Sequence, residues 1–245
     1  MQWRAFSSLT AMQLLLLVRQ ALPRDAPAPQ FGKKSYWEET YTNQGANSTY
    51  EWFFNALPFV NLVRNRMNFQ DRVLQVGCGN SLVAETLASA GFTDVTSLDF
   101  SPTVIASNLA RYPPDKFPEL KFTVGDVFNM SDFGTGIFDT VLDKGTWDAI
   151  PKPRSRDMLR EVRRVLRPGG AYIVLTFSRP GNALDFFLDW RIGWKVESIE
   201  AVPNPRGSSE SSLGMFYLYV CRNEDRTEDW MPTGVPSNVT DFIQQ

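Results

Sequence analysis

Val73-Leu74-Gln75-Val76-Gly77-Cys78-Gly79-Asn80-Ser81 is an apolar strand that runs into two glycines one residue apart, after which the chain turns helical. Glycine there allows a sharp turn and lets a ligand approach main-chain N–H groups with no Cβ in the way. Twenty-two residues after Gly77, the apolar run Val95 to Leu98 ends in a lone carboxylate, Asp99. An acid at the tip of the next strand is placed to accept hydrogen bonds from ribose hydroxyls. Together the two features read as a nucleoside-cofactor pocket. A dinucleotide fingerprint carries a third glycine three residues after the second, and here Leu82 stands there. Without a pyrophosphate cradle, S-adenosylmethionine is favoured over NAD.

Outward from this loop the chain alternates strand and helix. Strands are expected over 72–76, 93–99, 120–124, 138–143 and 171–178, with helices over 81–90, 102–112 and 155–166. Ser101 followed by Pro102 is a helix start signal, and Arg167-Pro168-Gly169-Gly170 is expected to end the last helix and turn the chain. Such alternation implies a parallel sheet covered by helices on both faces. Segments 194–202 and 215–221 are both strand-like with only a polar loop between them. They must therefore pair antiparallel. By fold-level analogy this is an α/β, seven-stranded Rossmann-like methyltransferase fold with a C-terminal antiparallel hairpin.

Composition removes several chemistries. The 245 residues carry 25 basic and 27 acidic side chains, so the charge balance disfavours nucleic acid as the main partner. No histidine occurs, which excludes histidine general-base catalysis and most zinc-hydrolase chemistry. Cys78 and Cys221 imply no disulfide framework. Residues 1–30 are basic and hydroxylated, with no acid before Asp25. They read as a mitochondrial transit-type leader, with a weak secretory signal or a disordered leader of a cytoplasmic protein as alternatives. The short apolar run 14–18 cannot span a membrane. The sequons at Asn47, Asn129 and Asn238 are read as chance matches. The domain is expected over 31–222, followed by a polar tail over 223–245.

Two further stretches carry chemistry. In Val124-Gly125-Asp126-Val127 the third strand ends in a carboxylate that can accept from the amino group of adenine. The next N–H can donate to a ring nitrogen. Val141-Leu142-Asp143-Lys144-Gly145-Thr146-Trp147-Asp148-Ala149 follows the fourth strand, at the sheet edge where open α/β sheets bind ligands. Asp143 and Asp148 are expected to orient a substrate amine, and Trp147 to form an apolar wall or hold a cation. The plainer alternative is a salt bridge between Asp143 and Lys144. The basic face from Arg154 to Arg167 is read as a solvated helix face rather than a docking patch. Phe186, Phe187 and Trp190 are read as core packing at helical spacing.

The order Tyr36-Trp37-Glu38-Glu39-Thr40-Tyr41, Tyr50-Glu51-Trp52-Phe53, Val76-Gly77-Cys78-Gly79-Asn80-Ser81 and Leu142-Asp143-Lys144-Gly145-Thr146 resembles the methyltransferase-like family of eukaryotic protein-lysine methyltransferases. Members of that family act on elongation factor 1-alpha or citrate synthase. The resemblance spans about residues 31–222. It implies S-adenosylmethionine as cofactor and a protein with an acceptor lysine as partner; neither metal nor membrane is expected as a partner. It further implies that Trp37, Tyr41 and Trp52 close over the methionine and sulfonium end. Gly77, Cys78 and Gly79 would form the main-chain cradle, with Asp99 and Phe100 at the ribose and adenine. Asp126 and Val127 would lie at the base and Lys144 beside the cofactor. Gln75 stands where the wider superfamily often has an acid. The rivals are a small-molecule or RNA methyltransferase, a non-catalytic cofactor-binding module and, least favoured, a nicotinamide-dependent dehydrogenase.

Overall fold

The computed structural model describes residues 30–205 and 214–224. The expected leader and nearly all of the expected tail lie outside the described residues. In chain order the elements are α1 (Lys34–Gln44), α2 (Ala56–Val63), β1 (Arg72–Val76), α3 (Val83–Ser89), β2 (Asp94–Asp99), α4 (Pro102–Arg111) and β3 (Leu120–Val124). Then follow β4 (Phe138–Lys144), α5 (Thr146–Ala149), α6 (Ser155–Val165), β5 (Leu166–Thr176), α7 (Pro180–Phe187), β6 (Lys195–Pro203) and β7 (Met215–Arg222). The strands form one seven-stranded sheet in the order β3-β2-β1-β4-β5-β7-β6. β1 to β5 run parallel, and β7 enters antiparallel between β5 and β6.

Side chains alternate across the sheet, so each strand feeds two cores. Val73, Leu142, Ala171, Ile173 and Leu175 pack with α2 and α3 on one face. Leu74, Val141, Tyr172 and Val174 pack with α6 and α7 on the other. Burial on both faces explains why these strands read as continuous apolar runs. The Ser101 hydroxyl accepts from the Val104 N–H and caps α4, with Pro102 at its first turn.

Several details differ from the sequence reading. β5 begins at Leu166 rather than 171, because the Arg167-to-Gly170 stretch continues the ladder through a register shift opposite Phe138 and Thr140. α1 and α2 precede the sheet where no helix was expected. Trp190 is 79% exposed and not part of the core, although Phe187 is fully buried. The arginines of the α6 region are not merely solvated. Arg156 pairs with Asp189, Arg164 with Glu161 and Arg167 with Asp139. Arg164 also donates to the carbonyls of Met130 and Phe133.

Candidate functional site

Winding reverses between β1 and β4, the position where open α/β sheets leave a crevice at their carboxyl ends. Val76 pairs with Asp143 in register, so the glycine loop and the Lys144 turn emerge side by side. Between them opens a cavity of roughly 320 Å³. Its wall includes Trp37, Tyr41, Trp52, Gly77, Cys78, Gly79, Asp99, Phe100, Asp126, Val127, Lys144 and Asp148. These residues come from widely separated parts of the sequence, and the topology gathers them at one sheet edge.

The glycine loop is held from both sides. Gly77 and Gly79 have φ of +57° and +50°, the left-handed region. A Cβ on Gly77 would lie 2.1 Å from Thr146 Oγ1, and one on Gly79 would lie 2.8 Å from the Tyr41 hydroxyl. Thr146 in turn donates to the Val76 carbonyl at 2.9 Å. Asn108 Nδ2 donates to the Gly79 carbonyl at 2.9 Å, closing the loop from the α4 side. The Cys78 thiol is buried, and burial raises its pKa, so it is not a nucleophile at neutral pH.

Asp99 accepts from the Gly79 N–H at 2.9 Å and the Ser101 N–H at 3.0 Å. Burial pushes its carboxyl up to about 6 despite these bonds. A desolvated acid that faces a cavity gains from further donors, and ribose hydroxyls supply them. The observed wall therefore fits S-adenosylmethionine: bare main chain on one side, a buried acid at the strand tip, and aromatic rings opposite. Those rings form a connected cluster. Trp37 stacks on Tyr41 with centroids 5.7 Å apart and meets Trp52 edge-on at 6.0 Å. Gln75 is held by Ser97, whose hydroxyl donates to Gln75 Oε1 at 3.2 Å.

The two acids of the β4 turn have different fates. Asp143 is fully buried and is not part of the cavity wall. It accepts from the Thr146 N–H at 2.8 Å, the Trp147 N–H at 3.1 Å and the Tyr172 hydroxyl at 2.8 Å. The expectation that it meets the substrate amine is corrected: its oxygens cap α5 from beneath. Asp148, one turn on, reaches the cavity. Its side chain is exposed toward the cavity and enclosed by protein around it, and this enclosure pushes its carboxyl up to about 7. Thr176 donates to it at 2.7 Å. Trp147 is 3% exposed and packs into the core against Phe187 rather than forming a cavity wall. The Asp143–Lys144 salt bridge is not formed, because Lys144 pairs with Glu51.

Several site residues escaped the sequence reading. Glu51 also accepts from the Ser81 hydroxyl at 2.9 Å and the Leu82 N–H at 2.7 Å, tying the Trp52 segment to the start of α3. Asn80 donates to Gln44 at 3.0 Å and to Ser48 at 3.1 Å, anchoring the far end of α1. Glu51 and Asn80 lie inside the quoted motifs, yet nothing local distinguishes a tether from a ligand contact. Phe128, Ile150 and Phe177 add apolar surface around Asp148. Among the described residues, no group of three or more Cys, Asp or Glu side chains is placed to hold a metal. No described helix is long and apolar enough to cross a membrane.

Comparison with known proteins agrees with this geometry. A methyltransferase domain family matches residues 74–174. EEF1A lysine methyltransferase 4 of Mus musculus is 34% identical over 204 residues, covering 78% of this chain and 75% of that protein. The eEF1A lysine and N-terminal methyltransferase of Danio rerio is 32% identical over 209 residues, 82% of this chain but 29% of that longer protein. Among solved structures, an S-adenosylmethionine-dependent methyltransferase of Methanosarcina mazei aligns with a TM-score of 0.53 at 16% identity, over 66% of this chain and 96% of its own. A protein of Pyrococcus horikoshii aligns with a TM-score of 0.58 at 21% identity, over 79% of this chain and 100% of its own. Fold, cofactor site and relatives converge: the chain is an S-adenosylmethionine-dependent methyltransferase and belongs to the methyltransferase-like family that includes EEF1A lysine methyltransferase 4.

Proposed function

We propose that the acceptor is a lysine side chain of a protein, with elongation factor 1-alpha as the first candidate. The observation that carries this reading is Asp148, an accessible carboxyl in a cavity wall shared with Phe128, Ile150 and Phe177. Apolar side chains beside an accessible acid suit the four-carbon stem and terminal nitrogen of lysine. The names of the murine and zebrafish relatives support the same acceptor.

When bound, S-adenosylmethionine supplies a methyl group activated by a sulfonium. This chain's residues have the remaining tasks. Asp99 would accept from the ribose, Asp126 and the Val127 N–H would meet the base, and the Gly77–Gly79 main chain and Lys144 would lie along the cofactor. Trp37, Tyr41 and Trp52 would exclude water from the methionine end. A free lysine has a pKa of about 10.4, and entry into an apolar chamber lowers it. Asp148, poised near neutrality, would accept a hydrogen bond from the incoming nitrogen and hold it in line. Alignment of this kind is worth roughly 7–11 kcal/mol of barrier. No histidine is needed for it.

The test is incubation with tritiated S-adenosylmethionine and unmodified recombinant elongation factor 1-alpha, with the modified residue located by mass spectrometry. Methyl-lysine is the expected product. A protein that binds S-adenosylhomocysteine in calorimetry but labels only RNA or small-molecule fractions of a cell extract would refute the proposal.

A further inference from the structure

The cavity does not end at Asp148. A second, more open depression of roughly 520 Å³ is lined by Lys152, Phe177, Ser178, Asn182, Asp185 and Phe186, and it shares Phe177 with the first. Asp148 stands at the junction, since it accepts from Thr176 Oγ1 at 2.7 Å and from the Phe177 N–H at 3.3 Å. The two spaces adjoin at Phe177, one reaching to the glycine loop and the other lying over α7.

The charges around these two spaces are not arranged at random. Lys152 is exposed, and its ammonium stands 4.9 Å from the Phe186 ring centroid and 6.0 Å from that of Trp147. It is close enough to Asp148 to act on that carboxyl electrostatically. Other cations on this face are committed: Arg156 to Asp189, and Arg154 and Arg160 to Asp157. Lys152 forms no ion pair with any described carboxylate. An ammonium held over an aromatic face and in no salt bridge with a described carboxylate is available to an incoming anion.

We propose that the open depression receives the segment of the acceptor protein flanking the target lysine, and that Lys152 pairs with an acidic side chain beside that lysine. This inference rests on the protein-lysine reading above. The polarity follows from geometry. The acceptor nitrogen goes to Asp148, so a second cation next to it would meet Lys152 and be repelled. An acid there meets Lys152 and fixes the register of the chain. Neighbouring residues of an extended segment are about 3.3 Å apart along its axis, which places such an acid at the depression while the lysine occupies the cavity. Ser178, Asn182 and Asp185 offer polar partners to the rest of the segment.

The test uses the full chain, unmodified elongation factor 1-alpha and tritiated cofactor. The methylated lysine should have an acid within about two residues of it. Lys152→Glu should lower kcat/KM about ten-fold, chiefly through KM, because the pair acts on acceptor binding. Its affinity for S-adenosylhomocysteine should not change. Replacing the acceptor's neighbouring acid by lysine should cost wild-type enzyme as much and should restore turnover with Lys152→Glu. Methylation of a lysine with no acid nearby, or equal turnover by Lys152→Glu on both acceptors, would overturn the inference while leaving the substrate class intact. A factor that is not methylated at all, by an enzyme that binds S-adenosylhomocysteine, removes the substrate class and this inference with it.

Discussion

Gly77→Ala tests whether the cofactor loop is shaped by its packing on Thr146. An alanine at φ +57° costs about 1–2 kcal/mol relative to glycine, because a Cβ crowds the following carbonyl oxygen. Its methyl would also sit 2.1 Å from Thr146 Oγ1 and 2.8 Å from Cγ2, so Thr146 must move. Moving it breaks the hydroxyl's bond to the Val76 carbonyl, a loss of roughly 1 kcal/mol. An off-rotamer side chain costs about 1 kcal/mol more. The total is about 3–4 kcal/mol, a fall in Tm of about 6–16 °C for a domain of this size. In a Thr146→Ala background the hydroxyl and Cγ2 are gone. Gly77→Ala should then cost chiefly the left-handed strain, about 1–2 kcal/mol, with the Cβ of residue 146 still 3.0 Å away. The four proteins form a double-mutant cycle with a coupling of about 2 kcal/mol, read by thermal melts and by calorimetric titration with S-adenosylhomocysteine. If Gly77→Ala is as costly beside Ala at 146 as beside Thr, the loop is not held by that contact.

Three other outcomes follow from the site. Enclosure by protein pushes the Asp148 carboxyl up to about 7, so kcat/KM should rise with pH through about 7 as the carboxylate forms. Asp148→Asn should lose that limb of the profile, and an unchanged profile would remove Asp148 from contact with the acceptor. Asp143 is also lifted to about 7, first by burial. Its ionisation therefore weighs against the fold as pH rises from about 4, the unfolded value, and does so in full above about 7. Asp143→Asn keeps an acceptor for the Thr146 and Trp147 N–H groups, so its stability relative to wild type should improve between pH 4 and pH 8. Asp143→Ala, which leaves those groups uncapped, should be less stable at every pH, and melts across that range separate the two. A fluorescent fusion of the full chain should reach mitochondria while a fusion of residues 31–245 should not; identical distributions would refute a targeting role for the leader.

What could be read in the sequence was whatever repeats with the period of a strand or helix. β3 is the edge strand and mostly half-buried or exposed, unlike the buried β1 and β2, yet its bounds match the expected 120–124. The stretch from Arg167 to Gly170 was misread because proline and two glycines look like a stop, whereas they continue β5 through a shifted ladder. α1 gave no periodic signal for a physical reason. It has no buried residue, and its rings face a ligand cavity and one another rather than a core. The Asp143–Asp148 run reads as a site, yet six residues at a strand end do not say which acid faces out. The one-turn helix α5 decides it, by folding Asp148 into the cavity and leaving Asp143 beneath as its cap. Glu51 and Asn80 act across some 30 residues of chain, a separation at which local pattern carries no information.

β7 supplies the last described strand of the chain, yet it lies inside the sheet, between β5 and β6. Phe216 and Leu218 complete one core, and Tyr219 and Cys221 complete the other. During synthesis, then, neither core can close until the ribosome has released this segment. Up to that moment β5 presents an unpaired edge rich in apolar residues, the kind of surface that chaperones capture and that aggregates when left alone. A product cut short before residue 215 would keep the glycine loop, Asp99 and Asp148 but leave that edge bare. Quality control would meet it as a folding failure before its cofactor site could matter.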